Sequence, residues 1–158
     1  MTVESVEGDG ATVTIYLAKC QTGPSEQQSK IDDIELCRGH GETMLLVEDE
    51  AAVRHSSTKF LTMLGYEVLV ACDGNTALQV ASNPGKIDIL ISDMVLPGHM
   101  NGIETFETIA EQRPKIKCIF VSGYAAMADR HLPPNTELLL KPFEIHVLAK
   151  KLRQLFAD

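Results

Sequence analysis

One carboxylate in this sequence stands where a side chain can act as a nucleophile. Asp93 follows the apolar run Ile87–Ser92, whose dense β-branched character is typical of a strand buried on both faces. Pro97 and Gly98 then force a loop. Open α/β sheets bind ligands at the carboxyl ends of such strands, so Asp93 is a candidate nucleophile for a phosphoryl group. A strand-end aspartate that caps its own turn is the structural alternative.

Two further carboxylates, Glu48 and Asp49, follow the apolar run Thr43–Val47. If the two strands are neighbours, three acids converge, and their repulsion favours a hard divalent cation. Mg²⁺ prefers oxygen ligands and retains waters that a phosphate can replace, so we predict that Glu48, Asp49 and Asp93 bind Mg²⁺. Capping of the helix that begins at Ala51 is the structural alternative for Glu48 and Asp49, and one residue can fill both roles.

A lysine and a serine complete this set of strand-end residues. Lys141 follows the run Glu137–Leu140, and we expect its ammonium to neutralise a carboxylate at rest and a phosphoryl oxygen afterwards. Ser122 follows the run Lys117–Val121 and is placed to donate to a phosphoryl oxygen. The structural alternatives are a loosely paired surface lysine and a serine bonded to its own turn. Phosphoryl transfer depends mainly on positioning and charge neutralisation, which these groups supply.

Alternating strands and helices are predicted to position these residues. The predicted strands are Thr43–Val47, Glu67–Ala71, Ile87–Ser92, Lys117–Val121 and Glu137–Leu140, and the predicted helices are Ala51–Leu64, Asn75–Ala81, Gly102–Gln112, Ala125–His131 and a last helix that includes Ile145 and Phe156. This alternation predicts an α/β fold, a doubly wound five-stranded parallel sheet with helices on both faces. All strand carboxyl ends then lie along one rim of the sheet, here called the carboxyl rim.

Composition limits the classes of function. The formal net charge of −8 argues against a nucleic-acid surface, because phosphate contacts need clustered lysines and arginines. No long apolar run and no signal peptide are recognisable, so we expect a cytoplasmic protein without membrane contact. Cys72 and Cys118 lie in apolar runs and no CxxC pair occurs, which predicts buried free thiols.

The amino-terminal region differs from the rest of the chain. Thr2–Val6 and Ala11–Leu17 predict a hairpin within residues 1–20, and a lone hairpin is marginally stable in water, so it needs a partner. Residues 21–41 begin as a polar segment with glycine and proline and are predicted to be a flexible linker.

Four motifs together resemble the receiver domain of the two-component response-regulator family. They are Leu45–Glu50, Ser92–Gly98, Val121–Gly123 and Lys141–Phe143, within a predicted receiver domain of residues 42–158. The resemblance implies a flavodoxin-like (βα)5 fold with strand order 2-1-3-4-5.

The resemblance also implies roles for individual residues. Asp93 would be the phosphoacceptor, and Asp49, Asp93 and the Val95 carbonyl would bind Mg²⁺ with help from Glu48. Ser122 and Lys141 would contact the phosphoryl group. The donor would be a phosphohistidine on a histidine kinase or a histidine phosphotransfer domain, and the chain would catalyse only its own phosphorylation and dephosphorylation.

Two other classes of function compete with this one. An aspartyl-phosphate phosphatase would need a general acid two residues after its nucleophile, where this chain has Val95. A pseudo-receiver would bind partners without phosphorylation, and the complete set of acids, serine and lysine argues against it. In the leading hypothesis phosphorylation changes a protein contact, which we expect on residues 125–130 and 144–153.

Two residues near the site bear on the output. The family often has an aromatic switch residue three places before its last-strand lysine, but this chain has Leu138. A rotating ring at that position therefore cannot carry a signal from Ser122, and we predict a less conventional output. Tyr124 is expected to cover the site and slow hydrolysis.

Residues 1–20 bear a second resemblance, to the last hairpin of a histidine-kinase ATP-binding domain. That hairpin precedes the receiver in hybrid sensor histidine kinases, so the parent protein is predicted to be a kinase of this kind. The asparagine- and glycine-rich ATP-binding motifs are absent from this sequence, so the chain itself is not expected to bind ATP.

Overall fold

The computed structural model describes residues 2–6, 8, 10–16, 38–123 and 132–157, whose strands form two sheets. The strands are β1 (Thr2–Val6), β2 (Gly10–Thr14), β3 (Thr43–Val47), β4 (Glu67–Ala71), β5 (Ile89–Asp93), β6 (Lys117–Ser122) and β7 (Thr136–Leu140). The helices are α1 (Ala51–Met63), α2 (Gly74–Ser82), α3 (Gly102–Gln112) and α4 (Ile145–Ala157). Tyr124 and the predicted helix Ala125–His131 lie outside the described residues.

The larger sheet has five parallel strands in the order β4-β3-β5-β6-β7. Counted within this sheet, the order is 2-1-3-4-5, which confirms the predicted doubly wound α/β fold. Because β3 pairs with β5, the residues that follow these two strands lie side by side on the carboxyl rim. Among the described residues, no helix is long and apolar enough to cross a membrane.

Each face of this sheet buries its own apolar cluster. Successive side chains of β3 alternate between the faces: Met44 and Leu46 pack with α4 residues such as Leu152, while Leu45 and Val47 pack with α3 residues such as Phe106. Strands buried on both faces explain why the apolar runs are nearly continuous rather than alternating.

Strand β5 is displaced towards its carboxyl end relative to the prediction. It begins at Ile89 instead of Ile87, and it includes Asp93 as its last residue. Asp88, just before the strand, is bonded to Thr43 of β3 in a different way from the ladder. Its backbone N–H donates to the Thr43 carbonyl, and its carboxylate accepts from the Thr43 N–H. The candidate nucleophile is therefore held within the ladder rather than in the following loop.

The two cysteines in the described region differ in exposure. Cys118 is buried as predicted, and burial raises the pKa of its thiol well above the ordinary value. The prediction for Cys72 was wrong: the residue is exposed, because it lies just beyond the end of β4 at the border of the sheet.

The small sheet is an antiparallel hairpin of β1 and β2, as predicted. Every residue of both strands is exposed, and Val3 faces Val13 across the hairpin. Strand β2 ends at Thr14, earlier than the predicted Leu17, which lies outside the described residues. The apolar face of the hairpin, with Val3, Val13 and Ile15, is therefore open.

Residues 38–41, at the end of the predicted linker, contact the end of α1. The Gly39 N–H donates to the Leu64 carbonyl at 2.8 Å, and the Gly41 N–H donates to the Gly65 carbonyl at 3.3 Å. A side chain at Gly39 would overlap the Tyr66 ring, whose atoms lie 2.5 Å from an added Cβ. Tyr66 in turn stacks on Phe156 of α4, so this glycine permits close packing at the end opposite the carboxyl rim.

Arg113 holds the connection between α2 and β5. Its guanidinium donates to the carbonyls of Ala81, Asn83 and Gly85 at distances from 2.8 to 3.0 Å. One cation therefore satisfies the Ala81 carbonyl in the last turn of α2, where helix termini leave carbonyls without intrahelical partners, and two carbonyls of the connection that follows.

We expect Arg113→Ala to lower the free energy of unfolding by about 1–2 kcal/mol, because charge-assisted bonds to partly buried carbonyls are lost. Urea unfolding followed by circular dichroism would measure the change. Lys115→Ala removes an exposed cation two residues away and is the matched control. Equal midpoints for the two variants would contradict this assignment.

Candidate functional site

Lys141 lies between two carboxylates on the carboxyl rim. Its Nζ is 2.8 Å from Asp93 Oδ2 and 3.2 Å from Glu48 Oε2. The side chains of Asp93 and Glu48 are 14% and 8% exposed, so both charges are largely withdrawn from water. Removal of one partner from an ion pair with this burial leaves a charge uncompensated away from water, which is costly. The alternative of a loosely paired surface lysine does not describe this arrangement.

Glu48, Asp49 and Asp93 converge beside Lys141. Each offers a carboxylate oxygen, and these oxygens lie within 4.8 Å of one another. Three carboxylates and one ammonium give this group a formal charge of −2, which one divalent cation would neutralise. The donors are all hard oxygen atoms, the type that Mg²⁺ prefers, so the residues fit the predicted metal.

The Asp93 carboxylate has both oxygens in use. Oδ1 accepts from the Val95 N–H at 2.9 Å, and Oδ2 accepts from Lys141. The bond from the Val95 N–H shows that Asp93 does cap its own turn. This capping coexists with the ion pair to Lys141. Val95 itself is exposed on the loop that follows β5. The two bonds fix the orientation of the carboxylate at the end of its strand.

Glu48 is buried at the start of the loop between β3 and α1. Its N–H donates to the Ala71 carbonyl of β4, and its Oε1 accepts from the Glu50 N–H at 3.3 Å. The residue at the amino-terminal cap of α1 is Glu50, whose side chain makes no capping bond. Helix capping therefore does not explain the acids at 48 and 49.

Ser122 is the last residue of β6 and is fully buried. Its carbonyl accepts from the Lys141 N–H at 2.7 Å, so the backbones of the serine and the lysine are joined directly. The adjacent Val121 carbonyl accepts from the Met94 N–H at 2.9 Å. These two bonds tie the ends of β5, β6 and β7 together around the acidic group.

The charge state of Lys141 follows from its surroundings. Partial burial lowers the pKa of the ammonium, but hydrogen bonds and charge from Asp93, and then from Glu48, outweigh that effect. The pKa therefore lies above the ordinary lysine value of 10.5, and the residue is a cation at neutral pH.

Gly102 is a residue of the site that the sequence analysis did not identify. A Cβ at this first position of α3 would lie 2.2 Å from the Asp93 carbonyl oxygen and 3.0 Å from Ser92 Oγ. The Ser92 hydroxyl also donates to the Asp93 carbonyl, at 2.9 Å. The only signal in the sequence for this close approach was the position of the glycine directly after Asn101. Asn101 and Glu104 form a capping box at the start of α3.

Leu138 lies opposite Phe120 in the pairing of β6 and β7. It is half-buried and packs against the apolar cluster that contains Phe120. The less conventional signalling output predicted from this leucine stays a prediction.

Comparison with known proteins identifies a family. Residues 44–153 match the family model described as the response regulator receiver domain. The chain is 34% identical over 163 residues to the sensor kinase CckA of Brucella abortus, an alignment that covers 96% of this chain and 17% of the kinase. It is 31% identical over 115 residues to the response regulator receiver protein CpdR of the same organism, with 71% of this chain and 94% of CpdR covered.

A solved structure gives the same result. The crystal structure of the receiver domain from the hybrid histidine kinase CckA is similar with a TM-score of 0.57 and 36% identity, covering 72% of this chain and 97% of that one. The chain is therefore similar both to a small part of a long sensor kinase and to nearly the whole of a separate receiver protein.

We expect Gly102→Ala to lower the free energy of unfolding by about 1–3 kcal/mol, because an added methyl group forces α3 away from the Asp93 backbone. Thermal unfolding would measure this effect. In Gly123→Ala, the stability control, the new methyl group would meet nothing within 4 Å. Equal losses of stability in both variants would contradict the close-approach argument.

The Lys141 ion pair should give a defined pH dependence. A raised folded-state pKa means that the stabilisation is complete below the unfolded-state value of 10.5 and is lost as pH rises through the folded-state pKa. The difference in free energy of unfolding between wild type and Lys141→Gln should therefore be constant from neutral pH to about pH 10 and shrink above it. Urea titrations across this range test the sign; a difference that grows with alkalinity would refute it.

Proposed function

The chain belongs to the response regulator receiver domain family of two-component systems, and from this membership we propose that Asp93 is its phosphoacceptor residue. The observation that supports this assignment is the Asp93 carboxylate, held between the Lys141 ammonium and the Val95 N–H within a cluster of three acids. Receiver function follows from the family, and we propose in addition that Asp93 accepts the phosphoryl group and that the residues around it assist the transfer.

In the proposed reaction, a carboxylate oxygen of Asp93 attacks the phosphorus of a phosphohistidine. The P–N bond breaks, its electron pair remains on the imidazole nitrogen, which takes up a proton, and an acyl phosphate forms on Asp93. The hydrogen bond from Val95 and the ion pair with Lys141 orient the carboxylate before the attack, which is the main contribution that positioning makes to phosphoryl transfer.

Glu48, Asp49, Asp93 and the Val95 carbonyl are the proposed magnesium ligands. When bound, Mg²⁺ would neutralise charge on the transferring phosphoryl oxygens and on the acids. The oxygen atoms of the three acids are already close together, so little rearrangement of the chain is needed to gather them.

Lys141 and Ser122 are proposed to contact the phosphoryl group after transfer. Lys141 is one-third exposed, so its ammonium has room to move from the Asp93 carboxylate to a phosphoryl oxygen. Ser122 is buried at the end of β6, directly after Val121, which pairs with Asp93, and its hydroxyl is proposed to donate to such an oxygen. Hydrolysis of the acyl phosphate by water would regenerate the Asp93 carboxylate and release inorganic phosphate.

The partner that supplies the phosphoryl group is proposed to be a histidine kinase or a histidine phosphotransfer domain. Most of this chain aligns with a sensor kinase of which it spans 17%, which supports a place in a larger hybrid kinase. A cytoplasmic location follows from this proposal, because two-component kinases phosphorylate receivers inside the cell. The output contact is proposed on residues 144–153; the other predicted segment, 125–130, lies outside the described residues.

The hairpin of residues 1–20 is proposed to be the last hairpin of a kinase ATP-binding domain. The alignment with the sensor kinase covers 96% of this chain, so it includes residues on the amino-terminal side of the receiver domain. Val3, Val13 and Ile15 on the exposed apolar face are each more than half exposed, and packing against the remainder of such a domain would cover them.

Incubation of the chain with acetyl phosphate and Mg²⁺, followed by intact mass spectrometry, tests the acceptor assignment. Wild type should gain the mass of one phosphoryl group and Asp93→Asn should gain none. Asp73→Asn is the matched control, because Asp73 also follows a strand of the sheet and asparagine is an equally good helix cap. Labelling of Asp93→Asn would overturn the assignment, and no labelling of wild type would favour a pseudo-receiver.

A further inference from the structure

We propose that Arg54 is a positioning residue for the carboxylates of Glu48 and Asp49, an inference that rests on the proposed magnesium site. Arg54 lies in the first turn of α1, directly after the loop that carries these acids. Its Nη1 donates to the Glu48 carbonyl at 2.7 Å and to the Asp49 carbonyl at 3.1 Å. One guanidinium nitrogen therefore joins the backbones of both residues.

In the loop between β3 and α1, Glu48 is also held by its N–H bond to the Ala71 carbonyl and by the bond from the Glu50 N–H to its Oε1. The Glu50 side chain, at the amino-terminal cap of α1, makes no capping bond. Asp49 is exposed, so burial does not set the direction of its carboxylate. The position of a side chain on such a loop depends on how its backbone is held, and for Asp49 the hydrogen bond from Arg54 supplies that restraint.

Two effects of Arg54 on cation binding have opposite signs. Its positive charge near the acids repels a divalent cation, so loss of the charge alone would tighten Mg²⁺ binding. Its hydrogen bonds hold two proposed ligands in place, so loss of those bonds would weaken Mg²⁺ binding. We expect the second effect to dominate, because the guanidinium faces backbone carbonyls rather than the carboxylates.

The test is a titration of the full chain with Mg²⁺, followed by NMR amide chemical shifts, for wild type, Arg54→Ala and Arg54→Gln. Both variants should bind Mg²⁺ about 10-fold more weakly than wild type. Lys59→Ala removes an exposed cation from the same helix and should bind at least as tightly as wild type. If Arg54→Ala does not fold, Arg54→Gln supplies the same comparison, because glutamine is neutral and too short to bond both carbonyls.

Phosphorylation kinetics give a second measurement, whose result would not change if Arg54 had a purely structural role. The Mg²⁺ concentration for half-maximal labelling by acetyl phosphate should rise in the Arg54 variants, while the rate at saturating Mg²⁺ should return to near that of wild type. Unchanged or tighter Mg²⁺ binding, or a rate that stays low at saturation, would overturn this inference alone. Absence of Mg²⁺ binding by wild type would overturn the proposed metal site and this inference together.

Discussion

The convergence of like charges at one rim of the sheet is the constraint on which the site depends. Glu48, Asp49 and Asp93 bring three carboxylates together, and two of them are largely buried. Such a group is unfavourable unless a cation compensates it. Lys141 supplies one positive charge from a strand that is far away in sequence but on the same rim. The formal charge that remains suits a divalent cation, so this arrangement of charges is complementary to the proposed ligand.

The order of the strands makes this convergence possible. Strand β3 pairs with β5, which places the acids after one strand beside the acid that ends the other. Strands β6 and β7 then follow on the same side, and Lys141 reaches back past Ser122 towards Asp93. The apolar clusters on the two faces hold this order, because the central strands β3, β5 and β6 are buried between helices. Stability of the sheet and geometry of the site are therefore set by the same packing.

Much of this arrangement was predictable from the sequence because it depends on local patterns and on one rule of topology. The bounds of Thr43–Val47 and Glu67–Ala71 were predicted as observed, since short apolar runs ended by polar residues are typical of strands. Parallel pairing places Asp93, Glu48 and Lys141 on one rim, and the strand order that the family resemblance implied brings them close together. The roles of Gly102 and Arg54, and the exposure of Cys72, were not predictable, because they depend on where a helix start or a loop packs in three dimensions.

Backbone bonds at the rim join the end of the strand that carries Asp93 to the two neighbouring strands. The Met94 N–H is bonded to the Val121 carbonyl, and the Lys141 N–H is bonded to the Ser122 carbonyl. These main-chain bonds give a direct connection from the β5 end to β6 and β7. Leu138 packs on the cluster that contains Phe120, which links β7 to the same apolar layer. These bonds between strand ends involve no rotating ring. Leucine at position 138 is therefore compatible with a phosphorylation signal that strand ends carry in place of an aromatic side chain.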